Sequence, residues 1–163
     1  MIRLLGLIAL LLAAPLAARE SLGVYDGWAA FKDAKPLRCY AIAKAQRAKE
    51  QGKPPAPAYA TISNWPERKV RGALHLVLSR AVADKAAVRL AVGDKRFTLV
   101  AKGRNAWAKD ALDDAAIVAA LRSAARMSVS ASSAKGGGFT DRYTLTGAAT
   151  AIDAATVGCA QRR

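Results

Sequence analysis

The chain is 163 residues long, with 26 Lys and Arg against 12 Asp and Glu, a formal net charge of +14 and 53% hydrophobic residues. That length suits one compact domain rather than several. One histidine, two cysteines and scattered carboxylates supply no metal-ligand cluster, no Cys-x-x-C redox pair and no expected cofactor.

The N-terminus carries Arg3, an unbroken apolar run from Leu4 to Leu12, and a small-residue stretch from Ala13 to Ala18 broken by Pro15. This is the layout of a signal peptide. A spanning helix needs about 20 apolar residues, and this run meets Arg19 and Glu20 too soon. The sequence therefore predicts a signal peptide over residues 1–18, cut near Ala17 or Ala18, and a single mainly-β domain over 19–163 without a transmembrane helix. Arg3 is the one charged residue of the leader, so its removal lowers the formal charge from +14 by one unit. No cysteine stands at the cleavage region to carry a lipid.

In the mature chain, the aromatic-rich stretch Val24 to Lys32 reads as a first strand and Arg38 to Ala43 as a second that carries Cys39. Residues 44–57 hold Lys44, Arg47, Lys49, Lys53, Pro54, Pro55 and Pro57, which predicts an exposed basic loop because proline cannot pair centrally in a sheet. Tyr59 to Trp65 reads as a strand ending at Pro66, and Leu74, Leu76 and Leu78 alternate with His75, Val77 and Ser79 as on a half-buried strand. A two-residue turn at Gly93-Asp94 makes Val92 face Lys95, Leu90 face Phe97 and Val88 face Leu99, so the apolar pattern and the hairpin register agree.

Asp110 or Asp113 can cap a helix running to about Ala125, with Ile117, Leu121 and Ala124 on one stripe and Arg122 and Arg126 complementing its dipole. A strand over Met127 to Ala131, a loop from Ser132 to Gly138 and a strand from Phe139 to Leu145 follow, then a helix from Ala148 to about Ala160. On that helix Ile152, Ala155, Thr156 and Cys159 share one face, which turns Cys159 toward the core. Many strands with only two helices predict an antiparallel β-sandwich or open barrel, with the C-terminal helix packed on the sheet and tethered by a Cys39–Cys159 disulfide.

Candidate chemistry is sparse. His75 lies opposite Leu74, Leu76 and Leu78, with no Gly-x-Ser-x-Gly motif to accompany it. Asp113 and Asp114 are adjacent and diverge on a helix, so capping explains them better than paired-carboxylate catalysis. Asp141 reads as a structural hydrogen-bonding residue, and Lys135-Gly136-Gly137-Gly138 as a plain connection without a nucleotide-loop pattern. Trp28 and Trp107 read as core residues, while Trp65 beside Pro66, Arg68, Lys69 and Arg71 is the candidate exposed aromatic. The anion-binding candidates are Lys44, Arg47, Lys49, Lys53, Arg68, Lys69 and Arg71, taken together as one surface. Strong positive charge attracts polyanions, here anionic lipid, lipopolysaccharide or acidic glycan, with nucleic acid out of place in an exported protein. The same charge also serves simply to keep an alanine-rich chain dispersed.

Trp28 and Phe31 followed by Cys39-Tyr40, Phe97, Ala106-Trp107, the helix from Ile117 to Met127, and the closing Thr140-Asp141-Arg142-Tyr143-Thr144-Leu145-Thr146-Gly147 with Ala151 and Cys159 resemble the invasion-associated locus B family. The closing segment is the most specific part, with Thr144 where that family usually has Ser and Ala148 where an aromatic is common. The resemblance implies an exported alphaproteobacterial protein with no defined biochemical activity. The expectation is a periplasmic, secreted or surface-associated module that is not an enzyme and that binds an anionic envelope component or an envelope protein. A small periplasmic enzyme or hydrolase inhibitor is the alternative.

Overall fold

The structure, a computed structural model, describes residues 19–46 and 56–160, so the expected leader at 1–18 and Arg47, Lys49 and Lys53 of the basic loop lie outside the described residues. Within them the chain forms β1 (Glu20–Tyr25), β2 (Trp28–Ala34), β3 (Leu37–Lys44), β4 (Tyr59–Trp65), β5 (Val70–Val77), β6 (Val88–Val92), β7 (Lys95–Lys102), β8 (Asn105–Trp107), α1 (Ala111–Leu121), β9 (Arg126–Ser132), β10 (Gly138–Thr144) and α2 (Ala148–Ala160). The strands join in one antiparallel sheet of order β1-β2-β3-β4-β5-β8-β7-β6-β9-β10. The mainly-β, two-helix architecture is the expected one.

Turn chemistry sets much of the register. Asp26-Gly27, Gly93-Asp94 and Gly103-Arg104 each close a hairpin in two residues, with Asp26, Gly93 and Gly103 at φ 53°, 57° and 59°, the left-handed geometry that tight hairpins require. The β6–β7 register matches the expected one pair for pair. The stretch from Val24 to Lys32, expected as one strand, is instead the β1–β2 hairpin. Its apolar residues flank the Asp26-Gly27 turn so closely that the run reads as continuous. Strand β8 has only three residues and was not expected from the pattern.

Helix α1 starts as expected, with the Asp110 carboxylate accepting the Asp113 N–H at 2.9 Å. It ends at Leu121, short of Ala125, because the chain must turn into β9. The Leu145 N–H bonds the Ala125 carbonyl at 3.0 Å there. Arg122 consequently reaches Asp153 of α2, and Arg126 opens β9, so neither sits in the last turn of α1 as a dipole partner.

One hydrophobic cluster joins Trp28 and Ala30 of β2, Leu74 and Leu76 of β5, Leu90 of β6, Val129 of β9 and Tyr143 of β10. The sheet therefore curls until its two halves face each other. Hydrogen bonds close part of the gap, with Gln46 N–H donating to Arg142 O at 2.8 Å and the Trp28 indole N–H to Thr144 O at 3.0 Å. Helix α2 lies against β1 to β4. Ala30, Ala41, Ala43 and Ala60 on the sheet and Ala148, Ala151 and Ala155 on the helix are all buried, and such small side chains permit close approach of backbones. The Cα atoms of Cys39 and Cys159 come within 5.7 Å, and the expected disulfide joins them across 120 residues of sequence. Gly147, at φ 84°, opens α2 where a Cβ would fall 2.0 Å from the Tyr25 carbonyl oxygen, so only glycine fits. Among the described residues, no helix is long and apolar enough to cross a membrane.

Candidate functional site

The face of the β1–β5 half opposite α2 is built by register. Asp33 pairs with Arg38, Phe31 with Tyr40, and Tyr40 in turn with Ser63. Directly opposed residues share a face, so aromatic rings and guanidinium groups from β2, β3 and β4 meet there. The Arg38 guanidinium lies 4.2 Å from the Tyr40 ring centroid and 5.0 Å from that of Trp65. Arg68 lies 5.0 Å from Trp65, while Arg19 lies 5.7 Å from Phe31 and 5.6 Å from Tyr40. The result is an alternating ladder: Phe31, Arg19, Tyr40, Arg38, Trp65, Arg68. Each such contact is worth about 0.5–1 kcal/mol at an exposed site.

Hydrogen bonds fix the ladder. Arg38 donates through Nε and Nη2 to the Ser63 hydroxyl at 3.3 and 3.0 Å, and Arg19 Nε donates to Asp33 at 3.1 Å. Burial pushes the Arg38 pKa down against the opposing pull of Tyr40 and Asp33, and burial pushes the Tyr40 hydroxyl up. The bond to Asp33 raises Arg19. Arginine remains charged throughout, so the ladder offers permanent cations held close to neutral rings.

Trp65 is half-buried at the end of β4, and Arg68, Lys69 and Arg71 are exposed around the 3-10 turn Pro66–Arg68 that follows it. Lys44 is exposed at the other end of β3, opposite Tyr59. Tyr59 and Trp65 are six residue steps apart along β4, about 20 Å at roughly 3.3 Å per residue. The single basic surface expected from the sequence is thus divided, with Lys44 at one end of the sheet and Arg68, Lys69 and Arg71 at the other. Beside Lys44 lies a shallow apolar depression of about 200 Å³ lined by Val24, Ala29, Ile42 and Tyr59.

Trp28 is buried, as expected. Trp107, expected in the core, is 39% exposed, because in β8 it pairs with His75 on the outer face while Ala106 takes the inner position. The two rings stack at 5.5 Å, and His75 Nε2 is 3.0 Å from Asn105 Oδ1. Asp114 accepts the Leu74 N–H at 2.8 Å, where β8 is too short to pair with β5. Asp141 is buried and accepts the Ser79 N–H at 2.9 Å. No group of three His, Cys, Asp or Glu able to hold a metal occurs among the described residues.

Sequence reasoning missed Arg19, Phe31, Arg38 and Tyr40. A two-residue connection at Lys35-Pro36 sets Asp33 against Arg38 and Phe31 against Tyr40, the same reasoning that read the β6–β7 hairpin correctly.

No protein-family model and no curated protein matches the chain. Among solved structures, it is similar to the crystal structure of invasion associated protein B from Bartonella henselae, with a TM-score of 0.60 and 16% identity over 85% of this chain and 98% of that one. At that identity the likeness is one of fold: the chain has the fold of invasion associated protein B, which supports the resemblance carried by its closing motif and cysteine pair.

Proposed function

We propose that the protein is an exported, non-enzymatic binding module of the cell envelope that holds an anionic component or an acidic partner through the basic end of its sheet. The observation that carries this reading is the Arg38–Trp65–Arg68 stack with Lys35, Lys69 and Arg71 exposed near it. Asp33 is engaged by Arg19, and against the exposed Glu67 of the turn stand Lys35, Arg68, Lys69 and Arg71, so positive charge outnumbers negative at that end.

The disulfide supports an oxidising compartment. A non-catalytic role is supported by the engagement of the reactive groups: His75 with Asn105 and Trp107, and Asp114 and Asp141 with backbone N–H groups. The depression beside Lys44 is shallow and apolar, which suits a contact surface better than a reaction pocket. Replacing Arg68, Lys69 and Arg71 together with Gln is expected to weaken adsorption to lipopolysaccharide or anionic vesicles at low salt, with the difference shrinking as salt rises. Equal adsorption by wild type and variant at every salt concentration would refute the reading.

A further inference from the structure

We infer that the ladder is a recognition site for the carboxylate-bearing sugars of an acidic polysaccharide, with the guanidinium groups taking carboxylates and Trp65 setting the positions of Arg38 and Arg68 on either side of it. The inference rests on the anionic-component reading above and narrows it to one chemical class. Three observations carry it. First, the cations at the centre are arginines rather than lysines on free stems: Arg38 is held against Tyr40 and by Ser63, and Arg19 by Asp33. A planar, fixed guanidinium matches a carboxylate in two-pronged geometry and loses little freedom on binding, whereas diffuse attraction needs no such fixation.

Second, the charge is repeated: Arg38 and Arg68 flank Trp65, and the exposed Lys69 and Arg71 follow after the turn, Arg71 at the start of β5. A row of this kind suits a chain that carries its anions at intervals. Third, an interfacial membrane anchor needs apolar side chains to insert, and from the β4–β5 connection to the start of β5 only Val70 is an exposed large apolar residue, at 36%. The more exposed Val24 and Val100, at 71% and 55%, stand in a different row of the sheet, with Ala29, Ile42, Thr61, His75 and Trp107 between them. The ladder end is polar and directional, which favours a glycan over a lipid surface.

The test titrates the disulfide-bonded protein with hexagalacturonate, its neutral carboxyl-reduced analogue, phosphatidylglycerol vesicles and a single-stranded oligonucleotide, following tryptophan fluorescence and heat. The inference predicts binding of hexagalacturonate in preference to the other three. Arg68→Lys keeps the charge but loses the planar fork and is expected to weaken that binding by about tenfold, and Trp65→Leu to weaken it and remove part of the fluorescence change. Lys44→Gln, about 20 Å away by the strand rise, is expected to leave it unchanged. Arg68 is exposed, so its variant remains informative even if Trp65→Leu folds poorly. Salt-dependent binding of vesicles or oligonucleotide with no preference for the uronate would overturn the inference and leave the broader reading standing. Equal affinity for wild type and Arg68→Lys would do the same, and failure to bind any of the three anionic probes would overturn both.

Discussion

The Tyr143 hydroxyl is buried on the inner face of β10 with no hydrogen-bond partner among the described residues. Burial, reinforced by the charge of Asp141, pushes its pKa far up, so it stays neutral at any ordinary pH. An unpaired buried hydroxyl costs about 1–3 kcal/mol. Tyr143→Phe keeps the ring and removes the orphan, and is expected to raise the melting temperature by about 2–4 °C per kcal/mol recovered; a lower melting temperature would reveal a partner for the hydroxyl. Asp114 behaves differently because its oxygen is in use. Burial raises its pKa above 3.8, against the lowering effect of the Leu74 N–H. A carboxyl with a raised folded pKa stabilises the fold fully below its unfolded value of 3.8 and loses that contribution as pH climbs through the folded value. Asp114→Asn keeps an acceptor for the Leu74 N–H and does not titrate. Melting temperatures of the two proteins should therefore shift in the wild type's favour as pH falls toward 3.8, whereas parallel pH curves would show that Asp114 feels no such burial.

Among the elements, α2 is the one most dependent on a covalent link. Its inner face of Ala148, Ala151, Ile152 and Ala155 is small, so it buries little apolar area per residue, and Cys159 fastens its last turn to Cys39 on β3. Replacing both cysteines with Ala is expected to cost about 2–5 kcal/mol, a fall in melting temperature of roughly 5–15 °C. Hydrogen exchange should rise first in α2, ahead of β3 and β4; unchanged protection in α2 would mean that alanine packing alone holds it. This helix was legible in the sequence because Ile152, Ala155 and Cys159 fall at helical spacing, and the β6–β7 hairpin because strict alternation met a two-residue turn. The β1–β2 hairpin was not, since Val24, Tyr25, Trp28 and Phe31 surround Asp26-Gly27 with no polar alternation to mark where one strand stops. Trp107 was misplaced for a related reason. A three-residue strand has too short a pattern to show which side chain faces in. The ladder was hidden more deeply, because Arg38 meets Ser63 and Trp65 only after β3 pairs with β4 across the basic loop, a register that no local pattern contains.

At the scale of the whole molecule, the net charge of +14 is less informative than the placement of Lys44 at one end of the sheet and of Arg68, Lys69 and Arg71 at the other. The ends stand about 20 Å apart by the strand rise, more than twice the screening length of about 8 Å at physiological salt. Charges at one end therefore scarcely feel those at the other, and a short anion bound at one end is insensitive to the other. Two sets of replacements separate the ends: Arg68, Lys69 and Arg71 to Gln at one, and Lys44 to Gln at the other. For a short oligoanion at physiological salt, the second set should leave affinity at the ladder end within about twofold, since sites more than 7–10 Å apart act independently. A polyanion long enough to reach both ends converts its second contact into an intramolecular one and gains avidity from the pair. Either set should then remove most of the advantage of the long ligand over the short one, because losing one end abolishes the bridge. The measurement is affinity against ligand length for wild type and both variants. A length advantage that survives loss of the second set would confine polyanion binding to the ladder end, and one that survives loss of the first would shift it to the end marked by Lys44.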